Sequence, residues 1–167
     1  MEKAYRYRFY PTADQENLLR RTMGCARLVY NKALAYRTEA WYERQERVGY
    51  SQTSSMLTNW KKEEELDFLN EVSCVPLQQG LRHLQTAFTN FFAGRAKYPN
   101  FKKKHNGGSA EFTLVCFPLE RWTGIFGKMY HSITYSLEQA NTSSVYSVYY
   151  HGQNDTCGTL VCFHTCR

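Results

Sequence analysis

The chain of 167 residues has no uninterrupted apolar run of the length that a membrane helix needs. Its first thirty residues carry charges throughout, so no secretory leader is expected. A glycine-rich phosphate loop is missing. Nor do the acidic residues form a catalytic constellation: Asp14, Glu39, Glu43, Glu46, Glu63, Glu64, Glu65, Asp67 and Glu71 mostly stand beside Lys or Arg on predicted helices, as solvated faces with i,i+4 pairs. No catalytic residue is assigned, and no enzymatic activity is expected. Basic residues are also missing from one region. Residues 130–167 hold no lysine and a single arginine, Arg167, but 15 Ser, Thr or Tyr.

The positive charge lies upstream. Residues 1–113 hold 18 Lys/Arg against 12 Asp/Glu, whereas residues 114–167 hold 3 against 3. A local excess of this kind favours a polyanionic partner, most often nucleic acid. The six cysteines would suit a disulfide framework in a secreted chain; without a leader they imply reduced thiols and a cytoplasmic protein with no membrane partner. Four potential zinc ligands occur in the terminal "CGTLVCFHTCR", namely Cys157, Cys162, His164 and Cys166. Their C-x4-C-x-H-x-C spacing is not that of paired knuckles, and we expect neither metal nor cofactor in this chain.

"EKAYRYRFYPT" alternates aromatic and basic residues at period two and reads as a strand ended by Pro11. Arg6 and Arg8 share one of its faces, either as a solvated surface or against a phosphate backbone. Thr12 and Gln15 form a capping-box pattern for a short helix closing at Gly24. A long helix should then carry a stripe of Cys25, Leu28, Val29, Ala35 and Tyr36, with Arg27, Arg37, Arg44 and Arg47 on its other sides. Helix, glycine turn and helix together are compatible with a helix-turn-helix. A further helix runs toward Trp60, capped by Ser51 or Ser54. The clearest helix is "SCVPLQQGLRHLQTAFTNFFAG", in which Leu77, Leu81, Leu84, Phe88 and Phe91 form a core stripe, Ser73 caps, Pro76 fits the first turn and Gly94 closes. In the loop that follows, Arg95, Lys97, Lys102, Lys103 and Lys104 surround Tyr98, Pro99 and Phe101. Cations interleaved with rings suit phosphates and stacked bases.

The stretches "RFYPTADQENLLRRTMGCARLVYNKAL", "YSQTSS", "LQQGLRHLQTAFTNFF" and "YPNFKKK", in this order, resemble the OrfB/TnpB family of insertion-sequence transposase-associated proteins. The resemblance covers residues 1–113. It implies an RNA-guided DNA endonuclease whose N-terminal strand belongs to a wedge β-barrel, with a helical recognition region inserted after that strand. The family's RuvC-like nuclease, with three acidic metal ligands and a zinc ribbon, follows the barrel. The resemblance also implies that Tyr50, Ser54, Gln78 and Thr113 stand where the family reads a short motif flanking its DNA target. A glutamine amide suits an adenine edge. By the same resemblance, Cys74 and Val75 stand near positions where relatives can carry a basic and an aromatic residue.

Beyond Thr113 no counterpart to the nuclease is recognisable. With a suitable codon choice, Val115–Glu120 read from the second base gives Ser-Ala-Phe-Arg-Trp, and two later stretches give strand-like, basic sequences in the same frame. The expectation is therefore an out-of-frame tail. The chain divides into a strand with helix-turn-helix-like helices (1–48), a helical recognition region (49–94), a basic loop leading into a wedge strand (95–113) and the tail (114–167). The expected fold is mainly α with a short N-terminal β-strand (α+β): a helical region inserted into an incomplete barrel, with the first strand's edge unpaired and an irregular or weakly β tail. The expected function is nucleic-acid binding, to DNA and a guide RNA, by a truncated transposase without its nuclease. A small stand-alone helix-turn-helix regulator and an inert pseudogene product are the alternatives.

Overall fold

The computed structural model describes residues 2–9, 13–104, 108–113, 146–152 and 158–165, with side chains for 13, 14, 16–104 and 108–111. The described part is mainly helical. In chain order it comprises β1 (Glu2–Phe9), α1 (Ala13–Arg44), α2 (Tyr50–Trp60), a 3-10 segment (Glu64–Asn70), α3 (Cys74–Phe92), β2 (Gly108–Thr113), β3 (Tyr146–Gly152) and β4 (Gly158–Thr165).

α1 is one helix of 32 residues, and the turn expected at Gly24 does not form. A mid-helix glycine costs about 1 kcal/mol relative to alanine. That cost is outweighed because the buried face continues across it: Leu19 and Thr22 precede the glycine, and Cys25, Ala26, Val29, Tyr30, Ala33 and Leu34 follow. This stripe is also rotated from the expected one. Cys25 and Val29 are buried as anticipated, but Leu28 is 36% exposed and Ala35 lies on the outer face. Small alanines at 26, 33 and 40 let α1 approach its neighbours closely, a signal that a search for large apolar residues overlooks.

α3 follows its sequence signals. The Ser73 hydroxyl accepts from the Val75 N–H, Pro76 lies in the first turn, and Gly94 takes φ +70° just beyond the helix. Leu77, Leu81 and Leu84 are fully buried and Phe88 nearly so. Together with Val29, Tyr30, Leu34, Leu57, Trp60 and Leu69 they form the core between α1, α2 and α3. α2 begins at Tyr50, before either expected cap. Gly49 is its N-cap residue, and its N–H donates to Gln52 Oε1 at 2.9 Å. Ser51 and Ser54 instead lie inside the helix, where their carbonyls accept from the hydroxyls of Ser55 and Thr58. Leu69 anchors the 3-10 segment, and Asn70 Nδ2 closes it by donating to the Lys61 carbonyl and to Asp67 Oδ1, both at 2.9 Å.

The strands form one antiparallel sheet in the order β1-β4-β3-β2. β1 pairs with β4 along its whole length, from Glu2 opposite Thr165 to Phe9 opposite Gly158. The expectation that this strand would lack partners is corrected on the side that meets β4, while its other edge stays unpaired among the described residues. β4 satisfies one row of its backbone groups, and Leu, Val, Phe and Thr residues give β4 strand propensity. Among the described residues β1 and β2 are the two edges of the sheet. β2 packs on α1 and α3, and this joins the sheet to the helices.

Candidate nucleic-acid interface

The basic loop 95–104 is held against α1 at several points. Beyond Gly94 the N–H groups of Arg95 and Ala96 both donate to the Asn90 carbonyl, turning the chain back along the helices. The Tyr98 ring then meets Phe88 and Phe91 edge-on at 5.6 and 5.3 Å between centroids, and its hydroxyl lies 2.8 Å from Thr38 Oγ1. Pro99 is buried. At Lys102 the backbone is gripped by Asn31: Nδ2 donates to the carbonyl at 3.0 Å, and Oδ1 accepts from the N–H at 2.8 Å.

This anchoring separates the expected contact residues into two groups. Tyr98 and Lys102 hold the loop. The Lys102 ammonium lies 4.4 Å from the centroid of the Tyr30 ring, a cation–π contact, and burial pushes its pKa down. Desolvation likewise raises that of the Tyr30 hydroxyl. Tyr98, at 41%, and Lys102 are themselves exposed, as are Arg95, Lys97, Lys103 and Lys104, and Phe101 is 56% exposed. A pinned backbone thus presents four cations and a ring without spending much loop entropy on binding.

A second feature lies along α2. Tyr50, Ser51, Ser54, Ser55 and Thr58 line one shallow, hydroxyl-rich groove. Arg82 of α3 reaches Tyr50 at one end of it, its guanidinium 5.4 Å from the ring centroid. Gln78 is exposed one helical turn before Arg82, on the same side of α3. Three of the four expected motif-reading positions, Tyr50, Ser54 and Gln78, therefore stand on adjoining helices. Thr113 is the last residue of β2, opposite Ser147, and its side chain lies outside the described residues. So do those of Arg6 and Arg8, which stand opposite Val161 and Thr159 in the sheet. Of the terminal Cys/His cluster, Cys162 and His164 fall on β4, and all four side chains lie outside the described part.

The structure also adds residues that the pattern did not mark. Asn31 and Thr38 looked like polar positions on a helix, yet they fasten the loop. Arg37 looked like a surface cation; its guanidinium rests 4.1 Å from the Phe88 ring centroid and donates to Gln85 Oε1 at 3.0 Å, and burial lowers its pKa. No signal local to these residues reveals such contacts, because each joins segments about 50 to 70 positions apart. Among the described residues no group of His, Cys, Asp and Glu could hold a metal ion, and no helix is long and apolar enough to cross a membrane.

Residues 1–46 match the family model of the OrfB helix-turn-helix domain. In the structure this segment contains β1 and the single helix α1. The chain is 62% identical over 118 residues to a protein of Streptomyces pristinaespiralis named "Putative RNA-guided DNA endonuclease", covering 70% of this chain and 29% of that one. It is 36% identical over 102 residues to InsQ of Escherichia coli K12, which bears the same description, covering 61% and 25%. It is 31% identical over 118 residues to the virulence protein VsdF of Salmonella dublin, covering 63% of this chain and 96% of that relative. The chain thus spans less than a third of the length of the first two relatives.

Proposed function

Because the chain belongs, through its N-terminal part, to the OrfB/TnpB family of transposase-associated proteins, we propose that the described residues form a nucleic-acid-binding unit. The observation that carries this reading is the pinned loop, which holds Arg95, Lys97, Lys103 and Lys104 exposed beside the ring of Phe101. Phosphates meet the cations, and unpaired bases can stack on the ring. The names of the relatives support DNA and a guide RNA as the ligands. In this reading Tyr50, Ser54 and Gln78 contact a duplex edge from the α2 groove, with Arg6, Arg8 and Thr113 contributing from the sheet. Their hydroxyl and amide groups suit base edges and phosphate oxygens. No catalytic step is assigned to these residues. Residues 114–167 are proposed to be an out-of-frame continuation. Sequencing the coding DNA tests that point directly, since a shifted frame interrupted by stops refutes it.

Titrating a labelled oligonucleotide at several salt concentrations tests the binding. Log affinity should fall linearly with log salt, and Lys103→Ala with Lys104→Ala should flatten the line. A slope unchanged by the double substitution removes the loop from the interface. A large preference for one duplex site would instead favour a stand-alone regulator.

A further inference from the structure

A cavity of about 300 Å³ opens where α1, α3 and β2 meet. Its wall is apolar at Met23, Ala26 and Gly80, while Arg27 and Lys103 bring cations to it. Phe101 lines it too and is 56% exposed. A carboxylate lines it as well: Glu111 of β2 has a side chain 9% exposed, with Oε2 2.6 Å from His83 Nε2 of α3. The volume is at the small end of ligand pockets, which run from about 300 to 1,000 Å³.

We propose that this cavity receives a single unpaired guanine from a strand lying on the basic loop. The inference rests on the nucleic-acid-binding reading and deepens it. Guanine presents acceptors, N7 and O6, on one edge and donors, N1–H and the 2-amino group, on the next. Arg27 carries only donors and in a bidentate pose matches the first edge; the Glu111 carboxylate carries only acceptors and matches the second. Phe101 offers a face for the ring. Cytosine and adenine present a single amino group beside an acceptor, which a carboxylate repels, and thymine has no amino group. The His83 contact orients Glu111 and joins α3 to the sheet, so the acceptor is fixed before the base arrives.

The test is fluorescence anisotropy with the full chain and short single-stranded thymidine tracts carrying one central guanine, adenine, inosine or abasic position. The guanine tract should bind about tenfold more tightly than the all-thymidine tract. Inosine, which lacks the 2-amino group, should lose part of that gain, and the abasic tract all of it. Phe101→Ala and Glu111→Gln should both reduce the guanine preference while leaving the salt slope in place. Because inosine and the abasic site alter only the ligand, they test the pocket even if Glu111→Gln disturbs folding. Equal binding of all tracts with a full salt slope overturns the pocket and leaves nucleic-acid binding standing. A preference for adenine also overturns it. Absence of salt-dependent binding to any tract overturns the underlying reading itself.

Discussion

Asn31 holds Lys102 by both polar groups of one residue's backbone, donating to its carbonyl at 3.0 Å and accepting from its N–H at 2.8 Å. A carboxamide presents a donor and an acceptor side by side and so can do both, and the pair closes a loop between positions 71 apart in sequence.

Replacing Asn31 tests this clamp. Each hydrogen bond contributes about 0.5–1.5 kcal/mol net, so Asn31→Ala should cost about 1–3 kcal/mol in urea unfolding. It should also open residues 95–104 to limited proteolysis. Asn31→Asp should be intermediate, because a carboxylate still accepts from the N–H but cannot donate to the carbonyl. Equal protease resistance in all three proteins would show that other contacts hold the loop.

The two halves of the lysine cluster should behave differently. Removing Lys103 and Lys104 should lower the magnitude of the log–log salt slope by about 0.7–0.9 for each phosphate no longer neutralised, with little change in melting temperature. Lys102→Ala should act mainly on stability, because its ammonium lies over Tyr30, an interaction worth about 0.5–2 kcal/mol. Thermal melts and salt titrations of the two variants separate these roles.

The rotation of the α1 stripe gives a packing test. Leu81→Ala removes a side chain with no exposed surface and should cost about 2–5 kcal/mol. Leu28→Ala, at a position 36% exposed, should stay within about 1 kcal/mol of the parent. Similar losses at both positions would place Leu28 in the core and refute the observed helix orientation.

Cys25 supplies a pH dependence. Burial pushes its thiol pKa above the ordinary range, with the Glu71 charge adding to the rise and Arg21 opposing it. A raised folded pKa means that the native state holds its proton longer than the unfolded chain. The stabilising contribution is therefore complete below the ordinary thiol pKa of about 8.5 and is lost as pH rises through the folded value. Stability of the parent should fall more steeply over that alkaline window than stability of Cys25→Ala. In alkylation mapped by mass spectrometry at pH 8, exposed Cys74 should react before buried Cys25.

Local signals in the sequence account for α3 almost completely. Ser73, Pro76 and Gly94 mark its ends, and four of its five expected apolar positions are buried, because caps and helical periodicity act within a few residues. The α1 reading failed at Gly24 for the complementary reason. The glycine weakens a helix locally, but burial on both sides of it carries the helix through, and that burial depends on α2 and α3. The candidate site divided in the same way. The exposed lysines were legible as pattern, whereas Tyr50 and Ser54 were named only through the family resemblance. The anchoring roles of Tyr98 and Lys102, and the meeting of His83 with Glu111, were not legible.

The sequence by itself determined the basic N-terminal two-thirds, the presence of an N-terminal strand before Pro11, the capped α3 helix and the family resemblance. Each of these rests on composition, short-range periodicity or an ordered set of motifs. Only the tertiary structure decided that α1 runs unbroken, that β1 pairs with β4, that Asn31 and Thr38 fasten the basic loop, and that a cavity lies between Phe101 and Glu111. Those outcomes depend on contacts between distant segments, in which burial and paired hydrogen bonds outweigh the preferences of any single stretch.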